Sequence, residues 1–82
     1  MANEELDKLL NTGIQAARAG NRVEARRLLE KVLEQDDSNE QAWLALASVV
    51  DTPRERRICL ENVLEINPNN ERARQALERL KP

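Results

Sequence analysis

The 82-residue chain carries 13 basic and 15 acidic side chains for a net charge of −2, and Trp43 is its single aromatic residue. The interspersed signs describe a solvated helical surface and argue against a dedicated nucleic-acid or membrane-surface protein. With no histidine, no tyrosine and one cysteine, no Cys–His or Ser–His pair can form, so no enzyme and no cofactor or metal site is expected. A chain of this size buries only about 60% of its unfolded surface, here through leucine, valine, isoleucine and alanine. The acidic start MANEELDKLL lacks the basic region and apolar core of a signal peptide. The longest apolar run, Ala42 to Val50, is broken by Ser48 and falls well short of the roughly 20 residues that span a bilayer. A lone Cys59 asks for no oxidising compartment, and a cytoplasmic location is expected.

Asn3 is placed to cap a first helix over about 4–18, with Glu4 and Glu5 at its positive end. Leu6, Leu9, Leu10, Gly13, Ile14 and Ala17 recur at helical spacing and make a wide stripe. Gly20-Asn21 breaks the chain, and Asn21 with Glu24 suggests a capping box for a second helix over 22–35. Ala25, Leu28, Leu29, Val32 and Leu33 are its buried face, while Arg26 and Glu30 pair outward.

Asp36-Asp37-Ser38-Asn39 has calcium-loop residue types, but it lacks the central glycine and the spaced glutamate and reads as a turn. Ser38 and Gln41 form the capping box expected for a third helix over 39–51, which is apolar nearly all round and so belongs between neighbours. Thr52, Pro53 and Glu55 make the clearest helix start in the chain, opening a fourth helix over 53–66 that buries Cys59, Leu60, Val63 and Leu64. Cys59 on that face reads as a small core residue. Asn69 or Asn70 caps a fifth helix over 70–80, apolar along Ala73, Ala76, Leu77 and Leu80 and polar elsewhere, as a terminal cap should be.

The chain also repeats itself. LLEKVLEQDDSNE from Leu28 and CLENVLEINPNNE from Cys59 agree at seven of thirteen positions, at an offset of 31 residues. Such a period marks an array of helix pairs, each burying its apolar face on the next. The residues resemble a tetratricopeptide repeat (TPR) protein: Trp43, Leu46, Ala47 and Val50 follow the family's first-helix spacing, and Leu60 and Pro68 stand at its aromatic and proline positions. The earlier unit carries Leu9, Thr12, Gly13 and Ala16, then Ala25, Leu29 and Asp37. The usual tyrosine and phenylalanine are missing. The resemblance implies an all-α, TPR-like α-solenoid of five antiparallel helices in one domain, 1–82. Unit one covers about 4–38, unit two 39–68, and a capping helix 69–81.

First helices repeat at 34 residues and second helices at 31, so the second unit is expected to have lost three residues at its inner turn. Arg56 stands where unit one has Ala25, which questions how closely the second helix pair can cross. An alternative fuses the third and fourth helices into one rod. The Thr52 and Glu55 caps favour a closed hairpin instead, with the third helix ending near Asp51 and Trp43 buried between the two helices.

The resemblance further implies that first helices line a concave groove for a peptide or helix of a protein partner. By position that groove takes Asp7, Leu10, Ile14, Ala17 and Arg18 from unit one, and Gln41, Leu44, Ser48 and Asp51 from unit two. The alternative for Leu10 and Ile14 is simple packing on the second helix. Leu10, Ile14 and Ala45 occupy the places from which some relatives grip a terminal carboxylate, so that clamp is absent. A second reading is a self-assembling or engineered helical-repeat scaffold that covers its apolar edge by homo-oligomerisation. A third, RNA binding, rests only on scattered arginines. No nucleic-acid or membrane partner is expected.

Overall fold

A computed structural model describes residues 3–81, so the outermost residues of the 1–82 domain lie outside it. The order is α1 (Glu4–Arg18), α2 (Arg22–Gln35), α3 (Glu40–Ala47), α4 (Pro53–Ile66) and α5 (Glu71–Leu80), with no strand among the described residues. Each helix packs on its successor, and α1 also touches α3. The result is an all-helical, repeat-like stack.

Asparagines start most of these helices. Asn3 Oδ1 accepts from the Leu6 N–H at 3.0 Å, Asn39 from Ala42 at 3.0 Å and Asn70 from Ala73 at 2.9 Å. Each removes one of the orphan donors that open a helix. Asn39 therefore replaces the expected Ser38–Gln41 box, because Ser38 is turned back, its N–H donating to Asp36 Oδ1 at 3.3 Å. Asn21 makes no side-chain cap, and Glu24 does not reach back to complete a box: Arg27 holds its carboxylate through two hydrogen bonds of 3.0 and 2.7 Å, and the Asn21 N–H already donates to the Ala16 carbonyl at 2.9 Å. Thr52 does cap α4, accepting from the Glu55 N–H at 3.1 Å, and Pro53 opens the helix as the sequence demands.

The hairpin of α3 and α4 is closed. Arg56 in the first turn of α4 reaches the carbonyl that ends α3, while Asn67 just past α4 reaches Glu40 at the start of α3. Opposite ends meet, so the pair is antiparallel.

Helix α3 stops at Ala47, four residues before the expected Asp51. The two turns explain why. In the first unit Gly20 takes φ 83°, its N–H bonds to the Ala17 carbonyl at 3.2 Å, and the Asn21 N–H bonds to the Ala16 carbonyl at 2.9 Å. This left-handed closure reverses the chain within residues 19–21. The second unit has no glycine there and no residue at positive φ, and it uses residues 48–52 to reverse. The three missing residues have thus come out of helix α3, and the inner turn is longer rather than shorter. Ser48 assists by donating its hydroxyl to the Ala45 carbonyl at 2.6 Å, and Val49 and Val50 turn inward to 3% and 2% exposure.

The core runs through all five helices: Leu10, Ala25, Leu29, Val32, Ala42, Leu46, Val50, Leu60, Val63 and Ala73 are buried within one cluster. Helix α3 sits among α1, α2 and α4, as its all-round apolar sequence requires. Trp43 departs from expectation. It is only half-buried, at the α2–α3 turn, where its Nε1 donates to the Asp37 carbonyl at 2.8 Å. That bond holds the indole at the edge of the hairpin and away from its interior.

Candidate functional site

The first helices of the two units and the terminal helix share one side of the molecule, and a groove crosses it. Its first hollow, of about 370 Å³, has an apolar floor of Ile14 and Ala17 from α1 and Leu44 and Ala45 from α3. Arg18, Gln41, Ser48 and Arg72 give it a polar rim. A second hollow of about 300 Å³ adjoins it, with Leu44, Ser48 and Arg72 common to both and Arg56, Leu60 and Ala76 added. Leu44 therefore lies at the centre of a continuous channel over α1, α3 and α5. Each hollow is near the lower end of the roughly 300–1,000 Å³ range of small-ligand sites, room for a side chain or two.

Six of the nine residues placed there by position line this channel: Ile14, Ala17, Arg18, Gln41, Leu44 and Ser48. Three do not. Leu10 is 6% exposed and belongs to the core. Gly13, one turn on, lets Leu28 and Leu29 of α2 come up close against α1 beside it. Asp7 is an exposed side chain in the first turn of α1, beyond the end of the hollow. Asp51 lies in the turn after α3 and faces Arg22 at 3.8 Å and Arg26 at 3.5 Å, so it belongs to the α2–α4 seam. Positional transfer missed Arg72 and Arg56. Their signal in the sequence was weak: each is one arginine among several on its helix.

The electrostatics differ on the two sides of the molecule. At the seam, Arg26 bonds to Glu55 at 2.8 Å and to Glu30 at 3.1 Å. The hydrogen bond from Arg26 holds the Glu55 carboxyl below the usual carboxylate range. Arg22 meanwhile donates to the Val50 carbonyl at 2.8 Å. At the groove no carboxylate lines either hollow, and among the described residues Arg18 and Arg72 enter no ion pair.

Burial pushes the Cys59 thiol up to about 11, with the negative charge of Glu55 adding to the effect, which keeps it protonated and inert at neutral pH. Asp36 spends its carboxylate on the Ser38 N–H and the Asn39 side chain, closing the turn. Among the described residues no cluster of three or more histidine, cysteine, aspartate or glutamate side chains is placed to hold a metal ion. Nor is any described helix long and apolar enough to cross a membrane. No protein-family model matches the chain, and neither the curated proteins nor the solved structures yield a match.

Proposed function

We propose that the chain is a TPR-type protein–protein interaction module of the cytoplasm, acting by binding and without catalysis, whose groove receives a peptide or helix of a partner protein. Leu44 carries this reading. It is an aliphatic side chain at the centre of the channel, flanked by Gln41 and Ser48, and α1, α2 and α4 leave its outer side uncovered. An apolar anchor position within a polar rim is the usual anatomy of a recognition surface. The test is affinity capture with the chain and with Leu44→Asp. Partners retained by the first and lost by the second, at unchanged helical circular dichroism, are the expected outcome; identical partner sets would sink the reading.

A second reading, a scaffold that self-assembles, is favoured by Val23. This residue is 86% exposed at the start of α2, and Ile58 on α4 is 49% exposed. Sedimentation at two concentrations separates the readings, since self-assembly through these residues gives a mass that rises with concentration and falls in Val23→Asp.

A further inference from the structure

The groove's charge tells more about its occupant than its shape does. The chain is acidic overall, with 15 carboxylates to 13 basic groups, yet neither hollow has an acidic lining residue and together they have three arginines. Arg18 has a structural reason to be where it is, since a cation in the last turn of α1 complements the helix dipole. Arg72 has none. It is the second residue of α5, the end where the dipole disfavours a cation, and it enters no ion pair among the described residues, whereas Arg74 nearby bonds to Glu71 at 3.0 Å and to the Pro68 carbonyl at 2.8 Å. Arg56 commits only its Nε, to the Ala47 carbonyl at 3.1 Å. Arg56 lines the second hollow, and its terminal nitrogens have no hydrogen-bond or ion-pair partner among the described residues.

Resting on the reading of the groove as a partner-binding surface, we propose that its occupant is an internal acidic stretch of a protein. An aliphatic side chain sits on Leu44 and Ile14, and the flanking aspartates or glutamates meet Arg18 on one side and Arg72 with Arg56 on the other. The forked guanidinium donors suit carboxylates. The apolar floor fixes the register and the arginines select the charge. A nucleic-acid strand supplies anions too, but it needs aromatic platforms for its bases. The groove has none: Trp43 lines a different hollow with Asp37, Asn62 and Ile66.

The test is selection from a pool of peptides blocked at both ends, each with a fixed central leucine and flanking positions randomised among acidic, amide and basic residues. Blocked ends remove any contribution from a terminal carboxylate. The expected result is enrichment of acidic over basic flanks. Enriched peptides should then bind at least about tenfold more weakly to Arg72→Glu, and the loss should shrink as salt is raised. The double variant Arg18→Glu, Arg72→Glu should enrich basic flanks instead. Both arginines are exposed, so these variants keep the fold. A pool without charge preference, or one that Arg72→Glu leaves unchanged, overturns the acidic occupant but spares the groove, provided Leu44→Asp still abolishes binding. A pool indifferent to Leu44→Asp removes the groove reading as well. Displacement of the enriched peptide by a single-stranded RNA of equal charge, at equal concentration, overturns the protein occupant.

Discussion

Arg56 donates its Nε hydrogen to the carbonyl of Ala47, 3.1 Å away, and so closes the end of α3 from the opposite helix. A helix that stops abruptly leaves carbonyls without partners, and α3 has no glycine to turn them inward. In the turn that follows, Arg22 of α2 donates to the Val50 carbonyl at 2.8 Å. Arg56, at the position where the first unit has the small Ala25, thus caps α3. Arg56→Ala is expected to cost about 1 kcal/mol, the net value of one such hydrogen bond, as the carbonyl turns to water. Chemical denaturation should show a lower midpoint with an unchanged slope. Arg56→Lys should not restore it, because an ammonium group does not reproduce the planar donor.

Gly13 faces Leu29 across the first helix pair so closely that a Cβ on residue 13 would sit 2.9 Å from the Leu29 Cδ2 and 3.4 Å from the Leu28 Cβ. Two effects compete in Gly13→Ala. The helix gains about 1 kcal/mol in propensity. Overpacking a fully buried leucine costs about 1–3 kcal/mol, and Leu29 is 0% exposed. Net destabilisation is expected, at up to about 2 kcal/mol. Adding Leu29→Val to Gly13→Ala should cost less than the two changes separately, since each relieves the other. Strict additivity would show that the helices simply move apart.

The helices were legible in the sequence because their apolar period and their polar breaks agree, and α1, α2 and α4 start and end where those signals place them. The caps of α1, α4 and α5 were legible, those of α2 and α3 were not, although the repeat carried the signal for α3: an offset of 31 aligns Asn39 with Asn70, each followed by glutamate, and both cap in the same way. Reading Ser38 locally missed this. The end of α3 was not legible, because Val49 and Val50 fit a helical face and a buried turn equally well. Nor was the difference between Leu10 and Leu44, which the offset of 34 makes equivalent. What separates them is the bare backbone of Gly13, which draws α2 in beside Leu10, and the channel that leaves Leu44 open. The arginines were visible as residues, but only the fold shows which of them find carboxylates.

Glu40, in the first turn of α3, accepts from Asn70 at 2.6 Å and from Asn67 at 2.9 Å, tying the start of one unit to the loop that follows α4. The Asn70 hydrogen bond foremost, then that from Asn67, hold its carboxyl below the ordinary glutamate value. A folded-state value below the unfolded one, about 4.3, means stabilisation that is present above that pH and lost as the pH falls through the lower folded value. Glu55 and Glu24, lowered by Arg26 and Arg27, share the same window. Stability measured from neutral pH down to about pH 3 should therefore fall, and Glu40→Gln should flatten part of that fall while lowering stability at neutral pH. Parallel curves for the two proteins would remove Glu40 from the account.

Trp43 gives the most direct optical test of how the α3–α4 hairpin is closed. Had the indole lain between the two helices, its emission would be strongly blue-shifted and shielded from quenchers. The structure puts it instead beside Asn62, Glu65 and Ile66, with one edge open and its Nε1 on the Asp37 carbonyl at 2.8 Å. Intermediate emission and partial quenching by acrylamide are expected in the native protein, with a red shift and fuller quenching on unfolding. Trp43→Phe keeps most of the apolar contact but leaves the Asp37 carbonyl to water, a loss of about 1 kcal/mol from the hydrogen bond. The same substitution releases the α2–α3 turn, so amide exchange should quicken at residues 37–39 before it does in α4. An indole fully protected from acrylamide in the folded chain would place Trp43 inside the hairpin and overturn this arrangement.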